Sequence, residues 1–325
     1  MKSSNYYYSL ILLGGAGFLY NRYKKHNEED EGIKQYNLVK KYLLNDSSLA
    51  KTKKPIIWIH MTYEVNARWW PSFNSRNSDE LNQPYLYLTL KSIINKCGDN
   101  FNICLIDDDT FANILPGWAI DLNMVANPIK SKLRELGLAK ILYNYGGFVV
   151  PNSFLCFQNL IDTYNNNTIN NKMFVGELID RNNTSQHVNF CPNTKFIGCE
   201  KNNSTMKDYI TYLESMNSTD YTDESNFLGA YSRWCNEKII NGEINLITSD
   251  NLGIKDILGK VITIERLMAN TYIDLPGTVK GLYIPADEIL KRSAFQWFAR
   301  LSAKQALTSD TIIGKYLVIC NEEKI

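Results

Sequence analysis

An α/β fold, an open mixed sheet flanked by helices, is predicted for this 325-residue chain. Short apolar runs with the character of buried strands recur at Ile56–Ile59, Phe101–Ile106 and Phe148–Val150. Longer segments with apolar residues at helical spacing lie between them, and this strand–helix alternation is the pattern that builds a sheet through crossover connections. The length is ample for one large core.

The N-terminus comes first. Tyr6–Tyr20 is uncharged and mostly apolar, and Arg22, Lys24 and Lys25 follow it. As a helix it spans about 22 Å, short of the ~30 Å hydrocarbon core. Interfacial tyrosines at both ends and a snorkelling Arg22 make up much of the difference. The segment therefore reads as a membrane anchor (residues 1–25), with a signal peptide cleaved near Gly17 or a buried core helix as alternatives. The basic residues after the span favour a cytoplasmic main domain. Gly14-Gly15-Ala16-Gly17 lacks the Lys-Ser/Thr ending of a phosphate loop and suits close helix packing instead. Residues 26–54 read as a charged stalk, and residues 55–325 as the main domain.

In that domain Ile56–Ile59 is the opening strand, bounded by Pro55. Met61–Gln83 is a polar, aromatic loop long enough to be functional. Tyr85–Cys97 places Leu86, Leu90, Ile93 and Ile94 on one helical face. Phe101–Ile106 is the second strand, and Asp108 or Asp109 is expected to cap a short helix ended by Pro116 and Gly117. Lys130–Tyr145 is the next helix, stopping at Gly146-Gly147 before the third strand. An Asn-rich connector runs from Phe157 to Asn171. Strands follow at Met173–Val175 and Lys195–Ile197, then a helix over Met206–Met216, a strand at Ile244–Ile247, and helices over Asp287–Phe298 and near Asp310–Val318.

Composition excludes several functions. With 35 basic and 34 acidic residues the net charge is +1, so there is no basic excess of the kind nucleic-acid binding favours. Seven cysteines contain no CxxC pair; isolated among apolar neighbours, they read as small buried hydrophobes of a reducing compartment. Three histidines, His26, His60 and His187, are too few and too scattered for a histidine metal cluster.

The residues nearest to chemistry are Leu142–Ser153, the segment Ile103–Asp109, and the opening strand with His60. In their order and spacing, Pro55–His60, Ile103–Asp109 and the helix-plus-turn ending Tyr145-Gly146-Gly147 resemble the capsular-polysaccharide-synthesis type of glycosyltransferase and the wider group of DxD sugar transferases. The resemblance covers roughly Pro55–Leu160 and is closest to versions encoded by giant DNA viruses. Leu282–Pro285 and Gln296–Arg300 are similar to the viral members alone. It implies a GT-A-like, Rossmann-like domain that handles a nucleotide-diphosphate sugar, with Mn²⁺ or Mg²⁺ held by the DxD carboxylates.

This chain departs from that family at the residues that do the chemistry. Pro151, Asn152 and Ser153 stand where the carboxylates belong, and Glu135 and Leu138 replace an Asp and an Arg of the family pattern. Neutralising a departing diphosphate is worth several kcal/mol of barrier, and none of the three residues after Val150 carries charge. No metal or other cofactor is therefore expected unless an atypical donor site exists. Candidate donor- or sugar-binding residues are His60, Asp107, Asp109, Glu135, Gly146, Gly147, Asn152 and Ser153, with no catalytic residue singled out. For Asp107-Asp108-Asp109, helix capping is the leading reading, with ribose contact or a substitute metal site behind it. Glu135 is by default a solvated helix-surface residue. Trp58, His60, Trp69 and Trp70 lie where a base could stack, or form a hydrophobic lid.

Three functions follow. The first is a membrane-anchored, glycosyltransferase-like binding or structural component of viral type, impaired in metal-dependent transfer. The second is an active transferase with an atypical donor site, and the third a glycan-binding module. The candidate partners are the membrane, through Tyr6–Tyr20, a nucleotide sugar or glycan, and viral or membrane proteins, with localisation at a host-cell or virion membrane.

Overall fold

The computed structural model describes residues 54–61, 83–178, 190–218 and 224–321, with side chains from 229 onward in the last segment. The anchor and stalk expected over residues 1–53, and Trp69 and Trp70, lie outside the described residues. Among the described residues no helix is long and apolar enough to cross a membrane.

The architecture is a mixed α/β sheet flanked by helices. Among the described residues six strands form the main sheet in the order β2-β1-β3-β6-β5-β7. These are β1 (Ile56–His60), β2 (Asn102–Ile106), β3 (Gly147–Val149), β5 (Met173–Glu177), β6 (Pro192–Cys199) and β7 (Ile244–Ile247). β1 runs parallel to both β2 and β3, β6 is antiparallel to β3 and β5, and β5 and β7 are parallel. A separate two-stranded ribbon joins β4 (Phe154–Cys156) to β8 (Gly281–Tyr283) in antiparallel register.

The helices are α1 (Leu86–Cys97), α2 (Thr110–Ile114), α3 (Ile129–Tyr145), α4 (Ile161–Thr168), α5 (Ser204–Ser218), α6 (Glu224–Ile240) and α7 (Ile264–Met268). Then come α8 (Ala286–Lys291), α9 (Gln296–Ala299), α10 (Ala303–Leu307) and α11 (Ile312–Asn321). Alternation along β1 sends Ile56 and Trp58 to one face, where they meet Leu136, Ile141 and Leu142 of α3 and Met206, Tyr209 and Leu213 of α5 in one buried cluster. Aromatic rings pack edge to face around Phe148, with Phe174 at 4.9 Å and an interplanar angle of 78°. A further cluster joins α1, β8 and the C-terminal helices around Tyr85, Leu282 and Phe298. All seven cysteines are buried and unbridged, and burial pushes the Cys104 thiol up to about 12.

The glycine pair is the joint of this core. Gly146 ends α3 with φ +70° and Gly147 starts β3 with φ +110°, backbone that an L side chain rarely adopts. A Cβ on Gly147 would fall 2.3 Å from the Ile56 carbonyl oxygen. The Trp58 indole N–H donates to the Gly146 carbonyl at 2.9 Å, pinning the helix end to β1.

Several elements depart from the sequence expectations. The Asn-rich connector contains α4, because Tyr164 packs its ring against Phe101 and Phe174 and that burial overrides the low helix propensity of Asn. The helix expected over Asp287–Phe298 is two helices. Arg292 adopts extended backbone (φ −85°, ψ 118°), and its guanidinium reaches Glu288 and Glu265. Helix α6 and the β4–β8 ribbon have no counterpart in the sequence reading.

Candidate functional site at the carboxyl ends of β1, β2 and β3

β1 lies between its two parallel neighbours, and the chain leaves it to build β2 on one side and returns to build β3 on the other. In an open α/β sheet such a reversal leaves a crevice beyond the carboxyl ends of the strands, where ligands bind. His60 and Met61 end β1, Asp107–Asp109 follow β2, and Pro151–Ser153 follow β3. The topology thus gathers most of the sequence candidates at one edge.

Asp108 is the hub. Its Oδ1 accepts from the His60 Nε2–H at 3.0 Å and from the Arg134 Nε–H at 2.8 Å, and its Oδ2 accepts from Arg134 Nη2 at 2.7 Å. Lys130 Nζ stands 3.9 Å away. The Asp108 and Arg134 side chains are each only 14% exposed. Burial pushes the Asp108 carboxyl up, but the hydrogen bonds and charges of His60 and Arg134 outweigh it and hold it well below the usual carboxylate range. The His60 ring also stacks on Phe111, with centroids 5.6 Å apart and planes at 15°.

The other two aspartates point to different partners. Asp107 Oδ1 accepts from the Thr110 backbone N–H at 3.0 Å and from the Thr110 hydroxyl. Capping of α2 is therefore done by Asp107, not by Asp108 or Asp109 as expected. Asp109 occupies the N-cap position without a capping bond and accepts instead from Asn123 Nδ2 at 2.9 Å. Helix geometry explains this: an acceptor three residues before Thr110 meets its N–H, as in an Asx cap, whereas its immediate neighbour faces outward.

Glu135 corrects another expectation. It is half-buried rather than solvated, and it accepts from the Tyr209 hydroxyl at 2.9 Å and from Thr194. Burial raises its carboxyl above the ordinary range, with the two hydrogen bonds opposing. Leu138 packs against the core. Trp58 is 1% exposed, so its ring supports the glycine turn and offers no face to a base. Gly146 and Gly147 likewise serve backbone geometry.

Past β3, the Asn152 carbonyl accepts from the Thr89 hydroxyl of α1, and its Nδ2 lies 3.7 Å from Met61 Sδ. Ser153 is 4% exposed, and its carbonyl accepts from the Ile284 N–H at 3.2 Å. Among the described residues no group of three His, Cys, Asp or Glu is placed to hold a metal ion. A divalent cation needs several oxygen ligands converging on one point, and here the carboxylates diverge onto protein donors.

Arg134 and Asp108 were not among the sequence candidates for binding. The signal that could have found them is a pair of opposite charges at two expected carboxyl-end elements, which becomes specific only once the sheet order is known.

No family model matches the chain, and no curated protein matches it. Solved structures with some likeness include two of LgtC. An active-site mutant is 13% identical, with 60% of this chain and 73% of that one covered at a TM-score of 0.31. The galactosyltransferase LgtC in complex with donor and acceptor sugar analogs is 14% identical, with 60% and 74% covered, again at 0.31. At this identity and TM-score the likeness assigns neither activity nor residue role.

Proposed function

We propose that the chain is a glycosyltransferase-like protein of GT-A type that binds a nucleotide sugar or glycan at the carboxyl-end crevice without metal-dependent transfer. In this reading it serves as a binding or structural component of viral type, held at a membrane by Tyr6–Tyr20. The sequence resemblance over Pro55–Leu160 and the strand order that leaves a crevice beside β1 support the transferase-like reading. A fold does not fix an activity, so the chemistry must be read from the site.

One observation carries the loss of metal-dependent transfer. Each carboxylate of Asp107-Asp108-Asp109 is engaged by protein donors, namely Thr110, His60 with Arg134, and Asn123, while Pro151-Asn152-Ser153 supplies none. Calorimetric titration of UDP and GDP, with and without Mn²⁺, tests it, alongside an assay for transfer or hydrolysis of nucleotide sugars. Binding that is indifferent to Mn²⁺, with no turnover, is expected. Turnover that disappears in Asp107→Ala with Glu135→Ala would overturn the reading in favour of an active enzyme.

A further inference from the structure

On the far side of the Pro151–Ser153 turn, β6, β8 and α8 enclose a second concave site. It is a cavity of about 100 Å³ with one apolar wall, which includes Ile254, Ile262 and Pro285. The opposite wall carries Asn193, Lys195, Tyr283, Asp287 and Glu288. The wall is tied to the turn, since Tyr283 pairs with Phe154 and the next residue donates to the Ser153 carbonyl.

Lys195 is the fixed point. Its Nζ donates to the Tyr283 hydroxyl at 3.0 Å and to Asp287 Oδ2 at 3.2 Å. The Lys195 and Asp287 side chains are nonetheless 46% and 71% exposed, so their remaining hydrogen-bonding capacity faces solvent inside the concavity. An ammonium has three donors and a carboxylate several acceptor positions, and two bonds do not exhaust them. Burial depresses the Lys195 ammonium, but Tyr283 and Asp287 more than reverse this and keep it protonated.

We propose that this cavity binds an uncharged saccharide through Lys195, Tyr283 and Asp287. Lining chemistry selects the ligand. A donor-only ammonium, acceptor-only carboxylates, and a phenol and an amide that do both form a rim complementary to hydroxyls, which themselves donate and accept. The apolar wall suits the C–H face of a sugar ring. Two carboxylates disfavour phosphate or uronate, and Lys195 disfavours a cation. With one water needing ~10–15 Å³, the cavity has room for several waters, the scale of one sugar unit.

The proposal rests on the glycosyltransferase-like reading and is separable from it. Saturation-transfer NMR on the full chain would use the methyl glycosides of glucose, galactose and N-acetylglucosamine. At least one should give a signal that falls roughly five-fold in both Tyr283→Phe, which removes only the hydroxyl, and Asp287→Asn, which removes only the charge. No signal from any glycoside, or a signal unchanged in both variants, would overturn it. UDP calorimetry on the same samples divides the outcomes. UDP binding without a glycoside signal overturns the cavity alone. A variant-sensitive glycoside signal without UDP binding upholds the cavity and overturns the nucleotide reading.

Discussion

Arg134 grips Asp108 with two parallel hydrogen bonds, Nε to Oδ1 at 2.8 Å and Nη2 to Oδ2 at 2.7 Å. The pair ties the first half of α3 to the loop after β2, across 26 residues of chain, at the edge where the parallel strands end. Its planar, two-point geometry is available to a guanidinium and not to an ammonium.

Breaking that grip should be costly. Arg134→Ala leaves a mostly buried carboxylate with His60 and a distant Lys130, and removing one partner of such a pair costs roughly 3 kcal/mol. Arg134→Lys should recover only part of this. Urea midpoints of the three proteins measure it, and equal stability of the wild type and Arg134→Ala would refute the role. Asp108 has a depressed folded-state pKa, so its contribution is present above the ordinary value of 3.8 and is lost as pH falls toward the lower folded value. The gap between wild type and Arg134→Ala should therefore shrink below about pH 4.

The glycine joint makes a sharper steric prediction. Gly147→Ala combines positive φ with a clash against the Ile56 carbonyl, both backbone features that no rotamer relieves. Gly242 has φ +73° with nothing within 4 Å of the added Cβ. Gly242→Ala should cost only the ~1–2 kcal/mol of left-handed backbone, whereas Gly147→Ala should exceed that by several kcal/mol or fail to yield soluble protein. Comparable thermal midpoints for the two variants would show that the joint yields.

Glu135 should limit stability at neutral pH. Burial raises its folded-state pKa above the unfolded value of 4.5, so the folded state binds the proton more tightly. Its contribution is fully present below that unfolded value and is lost as pH rises through the folded one. Glu135→Gln keeps an acceptor for the Tyr209 hydroxyl and removes the ionisation. Its stability relative to wild type should rise with pH from about 4.5 upward. A difference that stays flat in guanidinium melts between pH 4 and pH 8 would contradict the assignment.

The parallel strands were legible because their apolar runs are short and bounded, and the Gly146-Gly147 stop was legible because few other residues could end α3 and start β3 there. Side-chain allegiance was less so. Glu135 sits one residue after Arg134, and helical periodicity alone does not say which faces Asp108 and which faces Tyr209. Trp58 looked available for stacking since strand alternation identifies two faces without saying which is covered. α4 was hidden by its asparagines until Tyr164 found Phe101 and Phe174. What the chain order conceals is pairing at long range, and the candidate site is built almost entirely from such pairs.

If the crevice receives a diphosphate, Asp108 works against it. The positive groups beyond β1 and β2 are Arg134 and Lys130, and Asp108 neutralises the first. Asp108→Asn removes a negative charge from the rim while leaving an amide oxygen to orient Arg134. The variant should lose stability for the reason given for Arg134→Ala, yet bind UDP more tightly. At a separation near 8 Å and an effective dielectric of about 20, the gain is capped at ~2 kcal/mol and reduced further by salt, so roughly five-fold in affinity is expected. Mn²⁺ should leave both affinities unchanged. Weaker UDP binding by Asp108→Asn would instead make Asp108 a direct ligand of the nucleotide, with its neighbours holding it in place for that purpose. The two outcomes differ in sign, so calorimetry at low and moderate salt decides between them.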